Sequence, residues 1–158
     1  MTRALEQAAC GAVVGEVPVG AVVVQGDRVV ALAHNRREAD QDPTAHAEVL
    51  AVRAAASTLG SWRLDDCTVY VTLEPCPMCA GALWLARVGR LVYATTDEKA
   101  GAAGTLYNVA ADPRLNHQIQ IDAGLMEAEA RVLLQDFFRG LRRKGAQQAA
   151  GPEGCPSG

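Results

Sequence analysis

Apolar positions along the chain switch repeatedly between helical and strand spacing. Thr2 to about Val14 reads as a helix with Leu5, Ala9, Ala12 and Val13 on one stripe. Two β-branched runs follow, Pro18 to Val24 and Arg28 to Asn35, separated by Gly26-Asp27, a two-residue hairpin signal. Pro43-Thr44 then starts a helix of alanine, valine and leucine that runs to about Leu59 before Gly60 stops it. Thr68 to Leu73 reads as a buried strand, and a further helix begins around Pro77 and ends near Gly89. Leu91 to Thr95 and Gln118 to Asp122 are the last strands. In the final, long amphipathic helix, Met126, Ala130, Leu133, Leu134, Phe137, Phe138 and Leu141 recur at three- and four-residue spacing. This order predicts an α/β fold with one mixed sheet sandwiched between helices.

Two stretches stand out of that pattern. Ala80 to Val88 is apolar almost all round, so it must be covered on both sides. In a chain of 158 residues a second subunit is the expected cover, which predicts a homo-oligomer. Asp97 to His117 carries glycines and no sustained period, and loops of that length in compact domains are usually functional or disordered.

Composition narrows the class. The length fits one domain, assigned to residues 1–144, and the Gln/Ala/Gly/Pro-rich residues 145–158 read as a disordered tail. No apolar run approaches the roughly 18 residues of a membrane span, and residues 1–10 lack the apolar core of a secretory leader. The five cysteines form an odd set, which without export signals points to metal binding and free thiols in the cytoplasm. Cys10 and Cys67 read as buried small hydrophobes and Cys155 as a tail thiol. A net charge of −3 excludes a broad non-specific nucleic-acid binder. Arg139, Arg142, Arg143 and Lys144 still form a local basic cluster, either a solvated helix end or an anion contact.

The chemistry lies in two motifs, His46-Ala47-Glu48 and Pro75-Cys76-Pro77-Met78-Cys79. One imidazole and two thiols supply three zinc ligands and leave a position open for water, the arithmetic of a catalytic site. Cys76 and Cys79 are three apart at a helix start, so both thiols share a face whose positive end favours thiolates. Glu48 remains free for proton transfer. Zinc-activated hydroxide would attack an amidine-like ring carbon, with Glu48 returning protons to the ring nitrogen and the departing amine. A redox Cys-x-x-Cys lacks its expected setting here. A structural zinc lacks a fourth ligand at knuckle spacing, since Cys67, His34 and His117 are the only spare candidates in the domain.

Several segments together resemble the bacterial tRNA-specific adenosine deaminase family, within the wider cytidine-deaminase-like superfamily. They are Glu16 to Ala21, Asp42 to Glu48, Thr72 to Ala82, Lys99 to Gly104, Asn116-His117 and Asp136-Phe137-Phe138-Arg139. The resemblance covers Met1 to about Lys144, with a start closer to the first helix than in relatives. It implies a three-layer α/β/α sandwich with a five-stranded mixed sheet, one zinc per subunit and a homodimer. It further implies conversion of adenosine to inosine at the wobble position of an arginine tRNA, with the anticodon stem-loop as partner. By that resemblance His46, Cys76 and Cys79 hold zinc, Glu48 shuttles protons and Asn35 hydrogen-bonds the flipped base. Asp97, Lys99, Asn116, His117 and Phe138, with Arg142 and Arg143, would line the anticodon path. Phe137 and Phe138 both also fit the apolar stripe; Phe137 reads as core, and Phe138 stays open between core and RNA path. The alternatives are a zinc deaminase of a free nucleobase or nucleoside, of guanine or cytosine type, and a non-catalytic zinc or RNA-binding module.

Overall fold

The computed structural model describes residues 1–149. The elements are α1 (Thr2–Val13), β1 (Gly20–Gln25), β2 (Arg28–His34), α2 (Arg37–Asp40), α3 (Ala47–Leu59), β3 (Cys67–Leu73), α4 (Pro77–Leu85), β4 (Arg90–Thr95), β5 (Gln120–Ala123) and α5 (Glu127–Ala149). The strands form one mixed five-stranded sheet in the order β2-β1-β3-β4-β5. β1 runs antiparallel to both β2 and β3, while β3, β4 and β5 are parallel. This is the three-layer sandwich expected from the sequence. No helix among the described residues is long and apolar enough to cross a membrane.

The pleat sorts side chains between the two helical layers. Ala21, Val23, Val69, Val71 and Leu91 face α3 and α4, where they join Ala51, Ala55 and Leu83 in the main core. Val22 and Val92, also buried, face the other way, toward α1 and α5. The hairpin turns at Gly26, whose φ of 58° is the left-handed conformation a two-residue turn needs.

Several expectations are corrected here. The buried stripe of α1 is Ala4, Ala8 and Gly11, whereas Val13 is 87% exposed and Ala9 and Cys10 are also exposed. The reason is proximity. A Cβ on Gly20 of β1 would collide with the backbone of Ala4 and Ala8, so only small residues fit between helix and strand. Cys67 is buried as expected. α4 stops at Leu85, short of Gly89, because Arg87 turns the chain at φ 58°. α5 continues to Ala149, past the expected start of the tail, and the remaining tail residues with Cys155 lie outside those described.

Gly20→Ala is expected to destabilise the fold by about 2 kcal/mol or more through overpacking. The loss should appear as a lowered urea midpoint with an unchanged slope.

Candidate metal centre and base cavity

The site is assembled where the carboxyl ends of β3 and β4 meet the first turns of α3 and α4, the usual place for a site in an open α/β sheet. Asp42 builds the approach to α3: its Oδ1 accepts the Thr44 N–H and Oγ1–H, both at 2.7 Å. His46 follows as the N-cap residue of α3, with extended backbone (φ −79°, ψ 148°). Its imidazole does not cap the helix. That task falls to Asn35, whose Oδ1 accepts the Ala47 N–H at 2.9 Å while its Nδ2 donates to the Val17 carbonyl at 3.1 Å. On the other helix Cys76 is the N-cap residue, Pro77 opens the first turn, and Cys79 lies within it, fully buried.

His46 Nδ1 lies 3.7 Å from Cys76 Sγ and 3.4 Å from Cys79 Sγ. The three donor atoms all lie within 4.8 Å of one another, so the group can hold a metal ion. The proton inventory agrees. A hydrogen bond from the Cys79 thiol, aided by His46, holds the Cys76 thiol down at about 4, while the same pairing and burial push the Cys79 thiol up. The two sulfurs thus share one proton, which a cation would displace. Bonding to Cys76 raises the His46 pKa.

Glu48 sits one residue into the same helix and is 3% exposed. Its Oε2 is buried with no hydrogen-bond partner. Burial pushes its carboxyl up to about 7, the range in which a group both takes and gives protons at neutral pH. An orphaned buried carboxylate oxygen next to a His/Cys/Cys triangle fits a bound cation and its water.

His46, Glu48, Cys76 and Asn35 line a cavity of about 170 Å³ with Val19, Arg37, Glu74 and Ala100 among its other walls. That is below the size of drug-scale pockets and suits one flat ring system. It shares Val17, Leu73 and Asp97 with an outer groove of about 470 Å³ that runs to α5. Lys99, Arg131, Gln135 and Phe138 line the groove. Phe138, 42% exposed, is therefore a groove residue, while Phe137 is more buried and meets it edge-on at 5.5 Å.

The anticipated residues thus divide. His46, Glu48, Cys76, Asn35 and Asp97 come together at the cavity, Cys79 joins His46 and Cys76 in the metal-binding group, and Lys99 and Phe138 lie at the groove. Arg142 and Arg143 are exposed on α5 and line neither space, although Arg142 lies one turn beyond Phe138 on the same helical face. Asn116 and His117 are elsewhere: Asn116 Oδ1 accepts from Arg87 Nη1 at 2.7 Å, and His117 Nε2 bonds the Val88 carbonyl at 2.8 Å. Both anchor the loop at the amino end of β4, roughly 17 Å away along the strand. Arg37 and Arg131 were not anticipated from the sequence. Their positions, two residues after Asn35 and seven before Phe138, were the available signals.

A half-buried and a fully buried thiol, an imidazole and an unpartnered carboxylate beside a ring-sized cavity define a metal-dependent deaminase of the cytidine-deaminase-like fold. Residues 1–142 match the MafB19-like deaminase family. The chain is 47% identical to a tRNA-specific adenosine deaminase of Bacillus subtilis, covering 91% of this chain and 89% of the relative. It also superposes, with a TM-score of 0.81 and 41% identity over 85% of this chain and 97% of the other, on a tRNA:A34 deaminase studied for A-to-I editing at the wobble position of transfer RNA. A guanine deaminase of Bacillus subtilis is similar at lower overlap, with a TM-score of 0.59 and 34% identity over 90% of each chain. The chain belongs to the tRNA-specific adenosine deaminase family.

Asn35→Ala would leave the Ala47 N–H and the Val17 carbonyl unpaired. Urea unfolding should show a loss of about 2–3 kcal/mol, with Asn35→Asp, which keeps the acceptor, losing less.

Proposed function

We propose that this protein hydrolyses adenosine to inosine and ammonia at the wobble position of a tRNA anticodon, arginine tRNA being the substrate. The observation that carries the reading is the pairing of a ring-sized cavity at the His46–Cys76–Cys79 group with an outer groove of nucleotide scale. A free base needs only the first space. A base flipped out of a loop needs the second for its neighbours, and Lys99, Arg131 and Phe138 offer cations and a ring face there.

Zinc is the ion that two sulfurs and one imidazole suit best, and when bound it acidifies water for attack at the ring carbon bearing the amine. The protein's own groups do the rest. Glu48 Oε2 takes one proton from the attacking water and passes it to the neighbouring ring nitrogen; it then takes the second from the hydroxyl so formed and gives it to the departing amine, so the ring gains oxygen and loses ammonia. Asn35 is already fixed by two backbone bonds, and its second amide hydrogen and second carbonyl lone pair are left to read the base edge. Asp97 accepts the Lys99 N–H at 2.9 Å and the Ala100 N–H at 3.2 Å, which sets the wall opposite.

The working form is a homodimer through α4. Leu85 is 64% and Met78 38% exposed on that helix, and the Trp84 indole N–H is buried without a partner. Arg87 stacks 5.5 Å over the Trp84 ring at the border of this face.

Matched anticodon stem-loops, with adenosine at the wobble position or elsewhere in the loop, test the reading against free adenosine, guanine and cytidine. Inosine is expected only at the wobble position of the arginine anticodon. Turnover of a free base without RNA would assign the chain to nucleobase deamination instead. Glu48→Ala should lose at least about a hundredfold in rate while elemental analysis still finds one zinc per chain. Cys76→Ala should lose the metal itself.

A further inference from the structure

The mechanism above leaves two buried carboxylates unused, Glu16 and Glu74, and the second borders the cavity. Glu74 is 2% exposed, has no cationic partner among the described residues, and sits two residues before Cys76. All its bonds go to a single loop. Oε1 accepts the N–H groups of Ala103 and Thr105, both at 3.0 Å. Oε2 accepts the Asp97 N–H at 3.1 Å and the Thr105 hydroxyl. Four donors fill a carboxylate's capacity.

The anchor points fall at both ends of an arc. Asp97 is at its start and Ala103 and Thr105 at its end, and between them lie Glu98, Lys99 and Ala100. Those residues and Asp97 itself wall the cavity and the groove. The arc has no regular secondary structure of its own beyond one bridge, Ala103 to Asn108. One backbone bond runs to the same segment, the Ala102 N–H donating to the Pro75 carbonyl at 2.8 Å, while Gly101, Ala102 and Gly104 also bond residues 106–110 further along the loop. The fit is close enough that a Cβ on Gly101 would strike the Glu74 carboxylate.

We infer that Glu74 is a positioning residue, which clamps the substrate loop 97–105 to the strand end that carries the metal-binding cysteines. The loop's register relative to the metal is then set by this side chain together with the Ala102–Pro75 backbone bond. Its effect on catalysis rests on the deaminase reading above; the clamp itself does not.

Glu74→Gln, Thr105→Val and Thr105→Ser test it through stem-loop kinetics, zinc content and amide hydrogen exchange without substrate. Glu74→Gln replaces an acceptor by a donor facing other donors, and should raise KM about tenfold with one zinc still bound. It should also speed exchange at Ala103 and Thr105. Thr105→Val, at an exposed position where folding is not at stake, should raise KM about threefold with little change in kcat, and Thr105→Ser should restore it. Unchanged exchange across residues 97–105 in both Glu74→Gln and Thr105→Val overturns the clamp. So does a KM defect that appears only in step with lost zinc, or one that Thr105→Ser fails to rescue. If the wild type turns over no stem-loop, the deaminase reading fails alone, and exchange still decides whether Glu74 holds the loop.

Discussion

Two helix N-termini are brought face to face at the carboxyl end of β3, and the site depends on holding them there. Each first turn presents unpaired N–H groups and partial positive charge. Facing ends of like sign repel unless something anionic lies between them. Here that role falls to the Cys76 sulfur, held in its thiolate range, while the neutral Asn35 amide oxygen satisfies the Ala47 N–H. The Cys79 thiol does most to hold Cys76 as a thiolate, with His46 and the first-turn Cys79 N–H adding to it.

Close approach of α3 to the sheet is the second requirement, because His46 rides on its end. Ala47, Ala51 and Ala55 are the fully or almost fully buried apolar positions of that helix, one methyl per turn, with Val52 and Glu48 buried beside them. Alanine is a strong helix former that adds little thickness, so the helix lies low over the central strands. Bulkier leucines fill the core elsewhere, at Leu64, Leu83 and Leu91.

How much of this was legible in the chain varies with the kind of signal. The hairpin at Gly26-Asp27, the Gly60 stop, the buried strands and the His/Cys/Cys group were all readable, because turn chemistry and ligand spacing are local. The stripe of α1 was not, since apolarity favours Leu5 and Val13 whereas the strand beneath admits only Ala4, Ala8 and Gly11. α2 escaped notice because four residues carry no period. The bulge between Val23 and Val24 leaves the β-branched run unbroken and so has no mark in the pattern. Asn116 and His117 share a motif with the family, but their partners, Arg87 and Val88, are set by tertiary packing. The task of Glu74 depends on a loop some thirty residues downstream, and nothing in the spacing reveals it.

The contact between α1 and β1 has a different kind of consequence. At Gly20 the helix and strand meet backbone against backbone, with no side chain in between. Such a joint has nothing to lose by truncation, so the gradual erosion that thins ordinary cores cannot loosen it. It responds only to addition, and any added carbon is already too much. Substitutions along this seam should therefore be either silent or ruinous, with few graded steps, giving the amino-terminal layer an abrupt tolerance to change.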